Sequence, residues 1–139
     1  MSQVEILYPV FVQVLLTIVV AVAMFLARRR AIAAYRREKP GASLRQLTWP
    51  DDAAKRAANY SNQFELPVLF YAVVAFALIT RGADLLMIGL AWIFALTRLL
   101  HAAIHVGPNR ISWRAPAFGV GFLAVLAMWL KLFIHVVTT

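Results

Sequence analysis

The residues best able to do chemistry lie in polar stripes on segments that are otherwise apolar. Glu65 stands where a long apolar run begins, three residues after Asn62 and six after Asn59. Side chains three residues apart share one face of a helix, so these residues form one stripe. A carboxylate taken into or next to lipid is costly, and we expect it to have a partner and a function.

A second stripe follows further along the chain. Arg98, His101 and His105 are spaced i, i+3, i+7, which also places them on one helix face. If that helix ends near Gly107, Arg98 lies about 13 Å below the membrane surface by helical rise. Glu65 is the acidic residue at comparable depth, so we predict an ion pair between Glu65 and Arg98, either within one chain or across a subunit interface. The pair could serve only to lock two helices together, or the stripes could line a polar pocket.

Other chemistries have little support in the sequence. His101 and His105 would need a third metal ligand, for which Glu65 is the one obvious candidate, so we predict no metal site. Cysteine is absent, which excludes disulfides and a catalytic thiol in the chain. The sequence contains no nucleophile elbow, phosphate-binding loop or carboxylate pair.

Membrane helices must position these stripes. The chain has 139 residues, is 63% hydrophobic and has a mean hydropathy of +0.76, whereas soluble domains are about 45–50% apolar. We predict helices at about 6–30, 50–80, 85–106 and 114–137, each long enough to cross a bilayer. The fold class is therefore an all-α membrane protein, a single-domain bundle of four transmembrane helices. Pro67 should kink the second helix, and Lys131 and His135 should snorkel to the interface at the end of the fourth.

The distribution of basic residues predicts the orientation. The net charge is +8, and nine of the fourteen lysines and arginines lie between Arg28 and Arg56. Arg110 and Arg114 add to the connection before the fourth helix. Basic connections stay in the cytoplasm, so both termini are expected on the non-cytoplasmic side. Topology and attraction to anionic lipid headgroups therefore account for the charge, and we predict no nucleic-acid binding.

This layout resembles the MAPEG family, the membrane-associated proteins in eicosanoid and glutathione metabolism. The resemblance rests on four helices in a short chain, a basic first connection, and the motif NQFE at residues 62–65 followed by Pro67. The third helix offers Arg98, His101 and His105 where family members have arginine and then histidine or tyrosine. The stretch FELPVLFY and the pair Asn109–Arg110 resemble a bacterial branch, which implies a bacterial inner membrane.

The resemblance also implies a function. Family members form homotrimers that bind glutathione between neighbouring subunits, and a lipophilic small molecule reaches the site from the bilayer. The chain would then be a glutathione-dependent transferase or peroxidase acting on lipophilic electrophiles. Arg114 would be the catalytic residue, because a cation beside the sulfur favours the thiolate. The residues implied to bind glutathione are Asn59, Asn62, Glu65, Arg98, His101, His105 and Arg30.

Two departures from the family pattern keep an alternative open. The glutathione-binding enzymes usually carry an arginine four residues before the motif asparagine, where this chain has Ala58, and the nearest arginine is Arg56. The second histidine of the third helix, His105, stands where tyrosine is usual. The alternative is a non-catalytic protein that binds a lipid, or an accessory subunit of a larger membrane complex, because fold alone does not decide function. A transporter or channel is disfavoured, since the polar groups occupy only one half of the membrane.

Overall fold

The computed structural model describes residues 3–107 and 110–139, which are almost entirely helical. A short 3-10 turn, Gln3–Ile6, leads into α1, Leu7–Glu38, and a second turn, Leu44–Gln46, precedes α2, Asp51–Asn62. The remaining helices are α3, Leu66–Ile79, α4, Leu85–Val106, and α5, Ile111–Thr138. With α2 and α3 taken as one span, the described residues contain four helical spans long and apolar enough to cross a membrane. The predicted all-α fold with four spans is confirmed.

The first helix continues far beyond its apolar part. Its 32 residues correspond to about 48 Å, against about 30 Å for the hydrocarbon core. The connection after α1 folds back along this extension: the Tyr35 hydroxyl donates to the backbone carbonyl of Ser43 at 3.2 Å. Further down, the guanidinium of Arg28 lies 5.1 Å from the ring centre of Trp49. This return brings the start of α2 alongside α1.

The second span is broken instead of kinked. Pro67 has no amide hydrogen for the carbonyl of Gln63, and its ring disfavours helical backbone at Leu66. The structure therefore ends α2 at Asn62 and restarts at Leu66, with Glu65 between them at φ −94° and ψ −104°. Pro67 lies in the first turn of α3, where a missing amide hydrogen costs little. The break places the last three residues of the NQFE motif, residues 63–65, in a turn and not on a helix face.

The core forms where α4 meets its neighbours. α4 packs against α1, α2 and α5, and α3 packs against α5. The rings of Phe70 and Phe94 stack in the centre with centroids 4.4 Å apart. Gly121 allows α5 to approach α4 closely, because a Cβ at this position would lie 2.9 Å from the Thr97 hydroxyl oxygen. Apolar side chains also cover the outer surface of the long helices, as expected of helices that face lipid.

The end of the bundle away from the basic connections is held by polar contacts to the α3–α4 turn. Lys131 forms an ion pair of 2.7 Å with Asp84, whose other carboxylate oxygen accepts from the amide of Met87 and caps α4. His135 Nε2 lies 3.0 Å from the backbone carbonyl of Thr80, to which it donates. That Lys131 and His135 snorkel to the membrane interface stays a prediction. Both side chains reach polar partners on the turn within their own chain.

Candidate functional site

The break between α2 and α3 is tied to α4 by Arg98. This side chain is only 1% exposed, and its Nη2 donates to the backbone carbonyl of Asn62 at 3.0 Å. The carbonyls at a helix C-terminus lack partners within the helix and carry partial negative charge. A buried cation that donates to one of them satisfies part of its own hydrogen-bonding need and fixes the end of α2.

The predicted ion pair between Glu65 and Arg98 is not formed within the chain. In residues 3–107 and 110–139, the carboxylate of Glu65 has no basic partner within 4.0 Å, and its side chain is exposed. The reason is the break: Glu65 leaves helical geometry, so the three-residue spacing from Asn62 no longer keeps both on one face. Arg98 donates to a backbone carbonyl instead, and Glu65 is directed to the outside of the chain.

Each histidine of the second stripe has an arginine beside its Nδ1. His101 Nδ1 lies 3.4 Å from Nη1 of Arg98, and His105 Nδ1 lies 3.4 Å from Nη1 of Arg114. The Nδ2 amide of Asn62 is also 3.5 Å from His105 Nδ1. A guanidinium can only donate, so Nδ1 of each ring must accept. Both imidazoles are therefore neutral and carry their hydrogen on Nε2.

Three of these residues, Asn62, His101 and Arg114, line an open cavity of about 290 Å³ between the α2–α3 break, α4 and the start of α5. Asn62, His101 and Arg114 supply its polar wall, and Ile111 and Phe118 supply an apolar wall. The polar wall presents hydrogen-bond donors and a positive charge. Such a wall suits an anionic or acceptor-rich ligand, while the apolar residues suit an apolar group.

The structure brings several of the predicted residues together, but not all of them. Asn62, His101 and Arg114 line the cavity. His105 contacts Asn62 and Arg114, and Arg98 contacts His101 and the Asn62 carbonyl. Three other predicted residues lie elsewhere. Asn59 is 2% exposed inside the bundle and faces Gln63, whereas Arg30 and Glu65 are exposed on the surface of the single chain.

Two buried amides were missed by sequence reasoning. Gln13, fully buried in α1, donates from Nε2 to Oε1 of Gln63 at 2.9 Å. Gln63 in turn donates to the backbone carbonyl of Asn59 at 3.1 Å. The break is thus held from α1 by Gln13 and from α4 by Arg98. The sequence does indicate that Gln13 has a buried partner. It is the one carboxamide in the apolar run of residues 6–27, and a polar residue at such depth needs a hydrogen-bond partner.

A metal-binding arrangement is not seen in the part of the chain that the structure describes, where no three His, Asp or Glu side chains come together. The third ligand considered for His101 and His105 was Glu65, which does not form a cluster with them. The nitrogen atoms nearest both rings belong to arginine and asparagine side chains. These groups repel a cation or cannot ligate it through nitrogen.

Comparison with known proteins supplies the family. Searches of curated proteins and of solved structures give no match. A family model, described as MAPEG family, matches residues 6–134. The matched region contains every residue of the cavity and nearly the whole of the four spans. Together with the four apolar spans, the match shows an integral membrane protein, and the chain belongs to the MAPEG family, which is generally associated with glutathione.

Proposed function

We propose that the protein is a glutathione-dependent transferase or peroxidase that acts on lipophilic electrophiles. The observation that carries this proposal is the cavity with Asn62, His101 and Arg114 on one wall and Ile111 and Phe118 on the other. Glutathione is a polar, anionic peptide, and its co-substrate would be apolar. A recess with one donor-rich wall and one apolar wall suits this combination.

Arg114 would act on the thiol. Its guanidinium, beside His105 at the edge of the cavity, would favour the thiolate of bound glutathione. The thiolate sulfur would form a bond to the electrophilic carbon, and the leaving group would depart with the bonding electron pair. With a peroxide substrate, two glutathione molecules would be oxidised to the disulfide while the peroxide is reduced to an alcohol and water. His101, which is neutral, could donate from Nε2 without competing for the proton of the thiol.

The remaining predicted residues point to a site completed by a second copy. The side chain of Glu65 is exposed at the α2–α3 break, and that of Arg30 is exposed on the extension of α1. A carboxylate exposed at a membrane-spanning segment is costly unless another subunit covers it. We propose that the protein is a homotrimer in which Glu65 and Arg30 of one subunit reach glutathione held by a neighbour.

Orientation and location follow from charge. With the basic connections in the cytoplasm, both termini would lie on the non-cytoplasmic side, and the glutathione site would open near the cytoplasmic face. The bacterial-type features of the sequence favour an inner membrane as the location.

One observation favours the non-catalytic alternative. Where family enzymes usually carry an arginine, this chain has the exposed Ala58. The nearest arginine, Arg56, is engaged by Asp52, with Nε 3.0 and 3.1 Å from the two carboxylate oxygens. A protein that binds only an apolar ligand, or an accessory subunit of a larger complex, would not need this arginine.

Calorimetric titration of glutathione into the purified protein in detergent tests the proposal. We expect saturable binding in the wild type, weaker binding in Arg114→Ala and Glu65→Gln, and unchanged binding in the control Arg110→Ala, which removes an exposed arginine four residues away. The midpoint of thiolate formation, followed by ultraviolet absorbance, should move to higher pH in Arg114→Gln. A folded wild type that gives no binding heat with about 1 mM glutathione would exclude the transferase and leave the lipid-binding alternative.

A further inference from the structure

A second concave surface lies on a different side of α4. It is a groove of about 260 Å³ whose walls come from α1 and α4 and whose floor comes from α2. Leu16 and Ala23 mark its extent on α1, and Leu99 and Val106 mark its extent on α4. Seven residues of helix give a length of about 10 Å. Among the residues that the structure describes, the groove and the proposed glutathione cavity share no lining residue.

The shape of the groove follows from small side chains. Ala23 on α1 and Ala102 and Ala103 on α4 leave space between the two helices that larger residues would fill. The groove runs along the helices in the half of the membrane nearest the basic connections. An apolar channel with this direction and position matches an acyl chain that lies parallel to the helices.

Among the described residues that line the groove, polar side chains occur only on α2. Asn59 and Arg56 line it there, where the second span leaves the basic connection. Arg56 is held through Nε, which lies 3.0 and 3.1 Å from the two carboxylate oxygens of Asp52. In the part of the chain that the structure describes, its two terminal amino groups have no protein partner. A guanidinium fixed through Nε and open at both Nη atoms presents the fork that recognises a phosphate.

The surrounding charge adds to this recognition. Asp51 and Asp52 are each engaged, by Lys55 and Arg56 respectively, and nine basic residues lie between Arg28 and Arg56. This part of the chain therefore carries an excess of positive charge at the level where lipid phosphates lie. Each basic residue at a membrane surface strengthens attraction to anionic lipid.

We propose that the groove between α1 and α4 is a binding site for one anionic phospholipid. One acyl chain lies between Leu16, Ala23 and Leu99, and the headgroup phosphate accepts hydrogen bonds from the terminal amino groups of Arg56. The lipid fills the space that the alanines leave and supports the packing of α1 on α4. This site is independent of the glutathione cavity and of any catalytic activity.

Native mass spectrometry of the intact protein released from detergent tests the proposal, with phosphatidylglycerol and phosphatidylcholine titrated as probes. We expect phosphatidylglycerol to bind more tightly than phosphatidylcholine in the wild type. Ala103→Trp fills the groove and should abolish the first binding step. Arg56→Gln keeps a polar side chain of similar reach and removes its charge, so it should weaken that step about fivefold. Leu100→Trp, a neighbouring exposed position that does not line the groove, is the matched control and should bind as the wild type does.

Three results would overturn the proposal. Equal binding of phosphatidylglycerol by Ala103→Trp and Leu100→Trp would show that the lipid lies elsewhere. If the wild type bound the two lipids with equal affinity and Arg56→Gln did not change that affinity, Arg56 would not contact the headgroup phosphate. If Ala103→Trp instead changed the oligomeric state while Leu100→Trp did not, the occupant of the groove would be a second copy of the chain.

Discussion

Arg98 donates a 3.0 Å hydrogen bond from Nη2 to the backbone carbonyl of Asn62, the last residue of α2. The contact joins a buried cation in the third span to the break in the second. It leaves the Asn62 side chain facing His105, 3.5 Å from Nδ1. One guanidinium thus holds the backbone of a cavity residue through Nη2 and the ring of another, His101, through Nη1. The geometry of the cavity depends on this side chain, although Arg98 does not line the cavity.

The first prediction concerns Arg98→Lys. A lysine keeps the charge but presents it at one point, so it cannot reach both the Asn62 carbonyl and His101 Nδ1. The lysine therefore loses its hydrogen bond to either the Asn62 carbonyl or His101, and a hydrogen bond to a charged group contributes about 1.5–3 kcal/mol. We expect glutathione affinity to fall at least about tenfold as a result. Calorimetric titration measures the effect. Arg110→Lys is the matched control, and equal affinity in both variants would show that Arg98 does not position the cavity.

The second prediction concerns the contact between Gln13 and Gln63. Replacing either residue alone by leucine leaves the other amide buried without its partner, which should cost about 1–3 kcal/mol of unfolding free energy. The double variant removes both amides, so its loss should be smaller than the sum of the single losses. Chemical unfolding of the four proteins in detergent gives the coupling. Strictly additive losses would show that the two amides do not support each other.

Sequence periodicity predicted the spans well because each long helix must be apolar throughout its membrane part, and such runs are visible without tertiary information. The same reasoning placed His101 and His105 on one face of the third span, because they are four residues apart. Arg114 was implied by the resemblance to the MAPEG family and not by helical spacing.

The partner of Arg98 could not be predicted in the same way. Helical spacing was applied from Asn62 to Glu65, where the chain leaves helical geometry before Pro67, so Glu65 does not share a helix face with Asn62. A backbone carbonyl freed by the break carries no signature in the sequence, since every residue has one. Pairing charged side chains by depth alone therefore selected Glu65, while the structure supplies the carbonyl of Asn62. Lys131 and His135 were likewise treated one at a time, whereas their partners lie on a turn some 50 residues away in sequence.

The third prediction concerns Gly82→Ala in the α3–α4 turn. A Cβ at this position would lie 2.7 Å from Cδ2 of His135, so the ring must move and its 3.0 Å contact with the Thr80 carbonyl would be lost. We expect a loss of about 0.5–1.5 kcal/mol of unfolding free energy, the usual net contribution of one hydrogen bond, because the half-buried ring can turn away from the new methyl group. His135→Ala should tolerate Gly82→Ala with little further loss. The unfolding temperatures of the two single variants and the double variant test this prediction. If Gly82→Ala lowered the unfolding temperature equally in the wild type and in His135→Ala, the predicted clash would be contradicted.

The fourth prediction separates the two contacts of Asp84. In Asp84→Asn, the carboxamide oxygen could still accept from the amide of Met87 and cap α4, but the ion pair with Lys131 would be lost. Because this pair is exposed, its loss should cost only about 0.2–1 kcal/mol. Asp84→Ala removes the cap as well and should cost about 1 kcal/mol more. If the two variants had equal unfolding midpoints, the cap would contribute nothing to the stability of α4.

The same carboxylate makes stability depend on pH. Partial burial tends to raise the pKa of Asp84, but hydrogen bonds from Lys131 and the Met87 amide, together with the charge of Lys131, outweigh it and hold the pKa below its ordinary value. The unfolded chain therefore binds the proton more readily than the folded one. The stabilisation that Asp84 gives to the folded state is complete above the unfolded pKa of about 4, and it is lost as the pH falls through the lower folded pKa.

Other carboxylates titrate in the same range, so the quantity to measure is the difference in unfolding temperature between the wild type and Asp84→Asn. We expect this difference to be largest near neutral pH and to shrink below about pH 4. A difference that stayed constant between neutral pH and about pH 3 would show that the ion pair with Lys131 does not stabilise the folded state.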